Sequence, residues 1–282
     1  MAALTDLSDL INRMTGGNNG SPENLFFHKA ARVSGATATN PILGRACSMW
    51  QYEGMPAGGT VPTSGAVPDR TTVGALPFTA PGAGREKWLI GASVVPLVAG
   101  LYLLYDRLFH IGGLNATLTT AQTVQGSPAS PALTRNTSGA GNFVFYEIYT
   151  TIGTTATTLT MTYTDQDGNP NRVSTINIGG NNFREATRAQ RIPLAGGDSG
   201  VQAVTSVQLA ATTGTAGNFG LTIAQPLAWI PVGVSGTAGW RDYTTGLPGI
   251  PAINAAACLA LMYIPTATTP TELFGALSFV EK

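Results

Sequence analysis

Apolar and polar positions alternate with a period of two along most of the chain after residue 142. In TLTMTYT (158–164), Leu159, Met161 and Tyr163 share one face and threonines occupy the other. That period is typical of a β-strand with one buried face. In RVSTINIGG (172–180) the alternation slips once, which predicts a bulge. Other predicted strands are NFVFYEIYTTIG (142–153), VQAVTSVQLAATTG (201–214), FGLTIAQPLAWIPV (219–232), ACLALMYIP (257–265) and LFGALSFVE (273–281).

The densest apolar run extends from Trp88 to Tyr105 and contains no charged residue. Its β-branched and aromatic residues favour strands, and Pro96 and Gly100 would disrupt a helix interior. We therefore expect two buried strands with a break near Pro96. A membrane-spanning helix is the alternative at this length, but the same proline and glycine argue against it.

A short amphipathic helix is predicted near the N-terminus, over residues 5–15. Its apolar residues recur at i, i+3, i+4 and i+7, and Thr5 or Asp6 is its expected N-cap. Gly16 and Gly17 are expected to end it. A helix this short is marginal alone, so its stripe needs a docking surface on its own domain or on a neighbouring subunit. The stripe consists of Leu7, Leu10, Ile11 and Met14.

Residues 18–84 combine many prolines and glycines with short apolar islands, LFFHKA (25–30) and CSMWQYEG (47–54). This pattern is equally typical of an extended arm that lies on other subunits and of a disordered linker. The predicted division is an N-terminal arm over 1–84 and a β-sandwich domain over 85–282. The fold class is all-β, with a jelly roll as one arrangement of the sandwich. Residues expected to dock on a partner are Leu7, Leu10, Ile11, Met14, Phe26, Phe27 and Trp50.

Charged residues make up 11% of the chain and the formal net charge is zero. Soluble domains typically have about 25% charged residues, so we infer that partner molecules cover much of this surface. A neutral secreted β-protein is the alternative. The zero net charge gives no electrostatic case for nucleic-acid binding.

The two cysteines, Cys47 and Cys258, lie far apart in sequence and form no CxxC motif or Cys/His cluster. Neither a redox motif nor a zinc site is therefore supported. Three outcomes remain open: two free thiols, one internal bridge, or an inter-chain disulfide. Two free thiols are favoured, because one bridge needs Cα atoms within about 7 Å.

Two short motifs resemble functional sites but are better explained as turns. DQDGNPN (165–171) begins like a calcium loop, yet the position of the bidentate glutamate is Ile176, so a hairpin turn is expected. GDSG (197–200) resembles the nucleophile motif of chymotrypsin-like proteases. However, the two histidines of the chain, His28 and His110, do not match that family's histidine motif. We expect a tight turn before a strand at Val201.

Asp106, Arg107 and His110 form a polar group inside an apolar stretch. On a regular strand Asp106 and His110 share a face and Arg107 does not. With no nucleophile nearby, we expect structural pairing rather than catalysis. The sequence therefore offers no catalytic residues, no metal ligands and no cofactor site.

Several segments together resemble virion structural proteins of tailed bacteriophages. They are SPENLFF, KWLIGA, LLYDRLFHIGGL, TTAQTV, GDSGVQAVTSVQL, TGTAGNFGLTIAQPL and ACLAL. The resemblance implies a β-rich, non-enzymatic subunit of the virion, assembled in the host bacterial cytoplasm. The residues themselves lead us to expect no membrane span and no nucleic-acid partner. Its expected role is to decorate or link major capsid subunits as a cement protein and homotrimer. The alternative is a tail, collar or baseplate protein that contacts the host.

Overall fold

The computed structural model describes residues 4, 6–126, 130–180, 183–244 and 249–282. About 46% of the chain is strand and 4% is helix, which confirms the all-β prediction. The helix α1 spans Leu7–Met14, and a 3-10 turn follows at Gly17–Asn19. The strands are β1 Glu23–Val33, β2 Ala36–Thr37, β3 Cys47–Ser48, β4 Tyr52–Met55, β5 Lys87–Pro96, β6 Gly100–Leu114, β7 Gln122–Thr123, β8 Phe143–Thr150, β9 Thr157–Asp165, β10 Arg172–Ile178, β11 Ala189–Arg191, β12 Val201–Leu209, β13 Asn218–Val232, β14 Gly239–Asp242, β15 Ala252–Ile253, β16 Leu259–Pro265 and β17 Leu273–Glu281.

These strands form three antiparallel sheets. The seven-stranded sheet has the order β14-β5-β17-β1-β2, with β15 paired to β5 and β4 paired to β1. The six-stranded sheet has the order β11-β8-β13-β6-β16-β3, and the four-stranded sheet has the order β10-β9-β12-β7. The first strand, β1, pairs with the last, β17. The strands nearest the two ends of the described chain therefore lie side by side in one sheet.

The longest strands, β6 and β13, pair with each other along the middle of the six-stranded sheet. Their register shifts three times, and one shift leaves Leu108 of β6 without a direct partner between the pairs Ala224↔Arg107 and Ile223↔Phe109. An unpaired extra residue of this kind is a β-bulge, which reverses the inward and outward order of the side chains beyond it.

Because of this bulge, the seven-stranded and the four-stranded sheets both pack against the same face of the six-stranded sheet. Tyr102 and Leu104 lie before the bulge and belong to the core shared with the seven-stranded sheet. Phe109 and Ile111 lie after it and belong to the core shared with the four-stranded sheet. The sandwich prediction is thus confirmed in a doubled form. We name the seven-stranded side the first sandwich and the four-stranded side the second sandwich.

The predicted strands agree well with the observed ones, and LFGALSFVE coincides with β17. The break near Pro96 is also present, because β5 ends there and β6 begins at Gly100. The prediction of a bulge in residues 172–180 is wrong. The register of β10 with β9 is continuous, with Ser174 buried on the inner face and Val173 exposed.

The described residues of the predicted arm (1–84) do not form an extended arm but are part of the folded body. Strand β1 pairs with β17 on one side and β4 on the other, inside the seven-stranded sheet. Phe27 is buried in the first core and faces Gly275 of β17, where an added Cβ would come within 2.2 Å of the phenylalanine ring. The predicted boundary at residue 84 therefore divides a single core.

The helix α1 begins and ends as predicted. Asp6 is its N-cap and its side chain accepts a hydrogen bond from the Asp9 backbone N–H at 2.8 Å. Leu10 packs on Ile90 and Val280, and Arg13 donates to the Glu281 carbonyl at 3.1 Å. Among the described residues, no helix is long and apolar enough to cross a membrane.

Candidate assembly surface

The outer face of the seven-stranded sheet is built from the outward positions of five strands, β4, β1, β17, β5 and β14. Directly opposite residues of antiparallel strands point to the same side, so the register defines rows across the sheet. One row joins Met55, His28, Phe274 and Val95. The next row joins Phe26, Ala276, Ser93 and Trp240.

Large apolar side chains in these two rows are strongly exposed. The exposed fractions are 75% for Phe26, 68% for Met55, 67% for Trp240 and 58% for Phe274. The small residues Ala276 and Ser93 separate Phe26 from Trp240. The second row therefore has an aromatic side chain at each end and a low floor between them, next to Phe274 and Val95 of the first row. We name this set of two rows the apolar face.

His28 supplies the main polar group of the apolar face. Its ring stacks on Phe274, with centroids 4.6 Å apart, and its Nε2 lies 2.8 Å from Glu272 Oε1. The pairing with Glu272 satisfies one nitrogen of the imidazole locally. The apolar face therefore carries little unpaired polarity at its centre.

The apolar face continues toward α1 through a polar third row of Asn24, Ser278, Gly91 and Asp242. Met14 lines a cavity of about 310 Å³ together with these four residues. Leu7 and Ile11 of the same helix are more than half exposed. The stripe of α1 is thus largely unpartnered and adjoins the outer side of the sheet.

The residues predicted to dock on a partner divide into two groups. Leu10, Phe27 and Trp50 are buried within the chain and cannot serve as contacts. Leu7, Ile11, Met14 and Phe26 are exposed. The sequence did not predict the exposure of Trp240, Phe274, Met55 and Val95. Period-two alternation in β17 could have predicted it for Phe274, because this residue points away from the face that carries the buried Leu273 and Leu277.

Both cysteines are free thiols and are fully buried in different core clusters. Burial raises the pKa of both thiols, that of Cys258 to about 12. Arg188 Nη1 lies 3.5 Å from Cys47 Sγ. An inter-chain disulfide would require either thiol to leave its core, so the arrangement favours the prediction of two free thiols.

The polar group of β6 is paired as expected, but with different partners. Arg107 Nε donates to His110 Nδ1 at 2.9 Å, so these two residues share a face and Asp106 lies on the other. The prediction of a shared face for Asp106 and His110 is wrong, because the bulge at Leu108 reverses the alternation between them. Arg107 Nη2 also donates to Glu147 Oε2 at 2.8 Å.

The two motif-like segments are turns, as predicted. Asp165 accepts hydrogen bonds from the backbone N–H groups of Asp167 and Asn169, which closes the β9–β10 hairpin. Asp198 of GDSG accepts from Arg172 at 2.8 Å and from the Tyr163 hydroxyl. These contacts fix the turn that precedes β12.

Comparison with known proteins gives little further information. No protein-family model matches the chain, and no curated protein matches it. The chain is similar to a structure of T=1 particles derived from infectious bursal virus, with 9% identity, 93% of this chain and 78% of that chain covered, and a TM-score of 0.20. For the Gt strain of infectious bursal disease virus the values are 9%, 93%, 81% and 0.19. Likenesses at these TM-scores carry no argument about fold or function.

Proposed function

We propose that this protein is a non-enzymatic structural subunit of a tailed-bacteriophage particle, which decorates and links major capsid subunits as a homotrimer. The observation that carries the proposal is the apolar face. Contiguous exposed apolar patches larger than a few hundred Å² mark interaction sites on soluble proteins. The resemblance of the sequence segments to phage virion proteins supplies the kind of particle.

The outer face of the four-stranded sheet provides an internal comparison. Most of its outward positions are hydroxyl and amide residues, with Thr160 opposite Thr175 and Thr162 opposite Ser206. A sheet face of this composition is suited to water, whereas the apolar face is not. We therefore propose that the first sandwich contacts the particle and the second sandwich projects into solvent.

The test measures binding of the purified chain to capsid shells that lack it, by co-sedimentation. Phe26→Ser and Trp240→Ser together should abolish most of the binding, because they remove the two most exposed aromatic side chains of the apolar face. Val173→Ser is the matched control, since Val173 is 51% exposed on the second sandwich. Undiminished binding of the double variant would refute a docking role for the apolar face.

Particle location and stoichiometry test the finer parts of the proposal. Cryo-electron microscopy of labelled particles should place the protein on the head, and native mass spectrometry should give a trimer. Label at the tail tip would instead support the tail, collar or baseplate alternative. A stable monomer at micromolar concentration would contradict the homotrimer.

A further inference from the structure

A cleft of about 380 Å³ lies where the two sandwiches meet on the shared face of the six-stranded sheet. Asp106 and Gln225 contribute from β6 and β13, directly opposite each other. Asn254 and Glu86 line it on the first-sandwich side, and Arg135 lines it on the other. The volume lies within the range of about 300–1,000 Å³ that is common for small-ligand sites.

The floor of the cleft is a buried, bidentate ion pair. Arg135 donates from Nε to Asp106 Oδ2 at 3.0 Å and from Nη2 to Asp106 Oδ1 at 2.9 Å. Arg135 Nη2 also donates to the carbonyls of Pro68 and Arg107. Both side chains are more than nine-tenths buried. The remaining nitrogen, Nη1, makes no hydrogen bond within the described residues and is left for an occupant of the cleft.

Three further polar side chains in the cleft have hydrogen-bonding atoms without a partner in the described part of the chain. The Gln225 amide and the Glu86 carboxylate make no side-chain hydrogen bonds within the described part of the chain, and Asn254 uses only its Oδ1, toward the Ala256 N–H. The unused set contains donors on Arg135, Gln225 and Asn254, and acceptors on Gln225 and Glu86. A ligand that both donates and accepts would satisfy it.

The charges around the cleft balance. Asp106 neutralises Arg135, and Arg85 on the rim is paired with Glu281 at 3.2 Å. An anionic ligand would face the carboxylates of Asp106 and Glu86, and a cationic ligand would face two guanidinium groups. The electrostatics therefore favour a neutral occupant.

Apart from Asn136, the remaining lining is apolar, with Leu227, Ile253 and Ala257 on one side of the cleft. A pyranose ring presents C–H groups on its faces and hydroxyl groups, each a donor and an acceptor, around its edge. We propose that the cleft binds a neutral carbohydrate of one or two sugar units. The ring faces pack on the apolar wall and the hydroxyls bond to Arg135 Nη1, Gln225, Glu86 and Asn254.

The test uses saturation-transfer NMR of the purified chain with the methyl glycosides of glucose, galactose, mannose, rhamnose and N-acetylglucosamine at millimolar concentration. Methyl glucuronide and methyl glucosaminide are the anionic and cationic counterparts of the glucose probe. We expect transfer from the protein to at least one neutral sugar, and less to both charged ones. Absence of transfer to all neutral sugars, or preference for a charged one, would overturn the proposal.

Variants then assign the binding to the cleft. Gln225→Ala and Glu86→Ala should each weaken binding by about tenfold, the loss expected for one or two hydrogen bonds. Thr175→Ala, on the outer face of the four-stranded sheet, should leave binding unchanged, and thermal melts confirm that all three fold. Equal binding by the cleft variants would place the sugar elsewhere and refute the assignment. The isolated chain suffices for this measurement, so its outcome does not depend on the proposed role in a particle.

Discussion

Arg107 and Glu147 form an ion pair that is almost completely excluded from solvent. Their side chains are 0% and 1% exposed, and Glu147 also accepts from Thr222 Oγ1 at 2.6 Å. Burial would raise the pKa of Glu147, but Arg107 and neighbouring hydroxyls outweigh it and hold this pKa below its ordinary value. The guanidinium lies 4.5 Å from the ring of Trp50, which adds a cation–π contact.

Glu147→Gln should destabilise the protein by about 3–5 kcal/mol, because it leaves the Arg107 charge buried and unpaired. The matched control is Glu53→Gln in the exposed Arg32–Glu53 pair, where we expect about 0–1 kcal/mol. Urea unfolding of the three proteins measures both differences. A loss at Glu147 as small as that at Glu53 would show that the pair does not act as a buried ion pair.

His110 should make stability depend on pH. Burial and then the adjacent Arg107 charge lower the pKa of His110 to about 2. An unfolded histidine has a pKa near 6.5, so the unfolded chain binds a proton that the folded chain does not. Stability should therefore fall as pH falls below that value, by about 1.4 kcal/mol per pH unit, or roughly 2 kcal/mol between pH 6.5 and 5.

The variant His110→Asn isolates this contribution. The Asn oxygen can accept the hydrogen bond from Arg107 Nε, but the side chain does not titrate. Urea unfolding at several pH values measures the free energy of unfolding. Between pH 6.5 and 5, this free energy should fall by roughly 2 kcal/mol less in the variant than in the unchanged protein. An unchanged slope in the variant would assign the pH dependence to other groups.

Residue-level sequence reasoning identified the polar pairing of β6 but not the partners. The bulge at Leu108 depends on the register with β13, which is a contact between distant segments. Likewise, Arg135 lies in a polar loop, and nothing in its local sequence indicates the pair with Asp106. Such contacts depend on tertiary structure that alternation alone does not specify.

At the scale of elements, the sequence between α1 and β5 does not reveal how closely this region packs. Its many glycines and prolines resemble a linker, yet Gly59 and Gly74 let this segment approach the Trp50 ring closely. An added Cβ at Gly59 would lie 2.2 Å from that ring. The glycines thus serve close packing of backbone on an aromatic side chain, which composition does not distinguish from flexibility.

Two deletions test how the N-terminal elements contribute. Removal of residues 1–15 takes away α1 but leaves every strand, so the protein should keep a cooperative thermal transition in circular dichroism with a lower midpoint. Removal of residues 1–84 deletes β1 and exposes the β17 edge and the first core. We expect that variant to lose the cooperative transition.

These expectations differ clearly from those of a detachable arm. An arm that lies on other subunits could be removed at residue 84 without loss of the folded body. A cooperative, native-like melt of the 85–282 fragment would therefore restore the division into arm and domain. Loss of folding on removal of residues 1–15 would show that α1 stabilises the sheet more than its contacts suggest.

At the scale of the whole molecule, the six-stranded sheet joins two cores. The strands β6 and β13 contribute side chains to both, so neither sandwich can lose its share of the sheet without affecting the other. The sandwich class followed from period-two alternation in the sequence. The doubling did not, because the length of β6 and β13 and the side on which each sheet packs are set by pairing between distant segments.

Met161→Ala should reveal whether the two cores unfold together. Met161 is fully buried in the second sandwich, and its truncation should cost about 2–5 kcal/mol. None of the four tryptophans, at positions 50, 88, 229 and 240, lies in the four-stranded sheet, so their fluorescence reports on the rest of the molecule. With a shared sheet, the fluorescence transition should shift to lower urea together with the circular dichroism transition.

The exposed Met55 provides the matched control, since Met55→Ala should change stability by less than about 0.5 kcal/mol. A fluorescence transition that stays in place while circular dichroism shows an earlier step would mean that the second sandwich unfolds alone. Coincident shifts mean that the long strands transmit the loss of packing from the second core to the first. That coupling would also hold the walls of the cleft at a fixed separation, because each wall belongs to a different sandwich built on the same two strands.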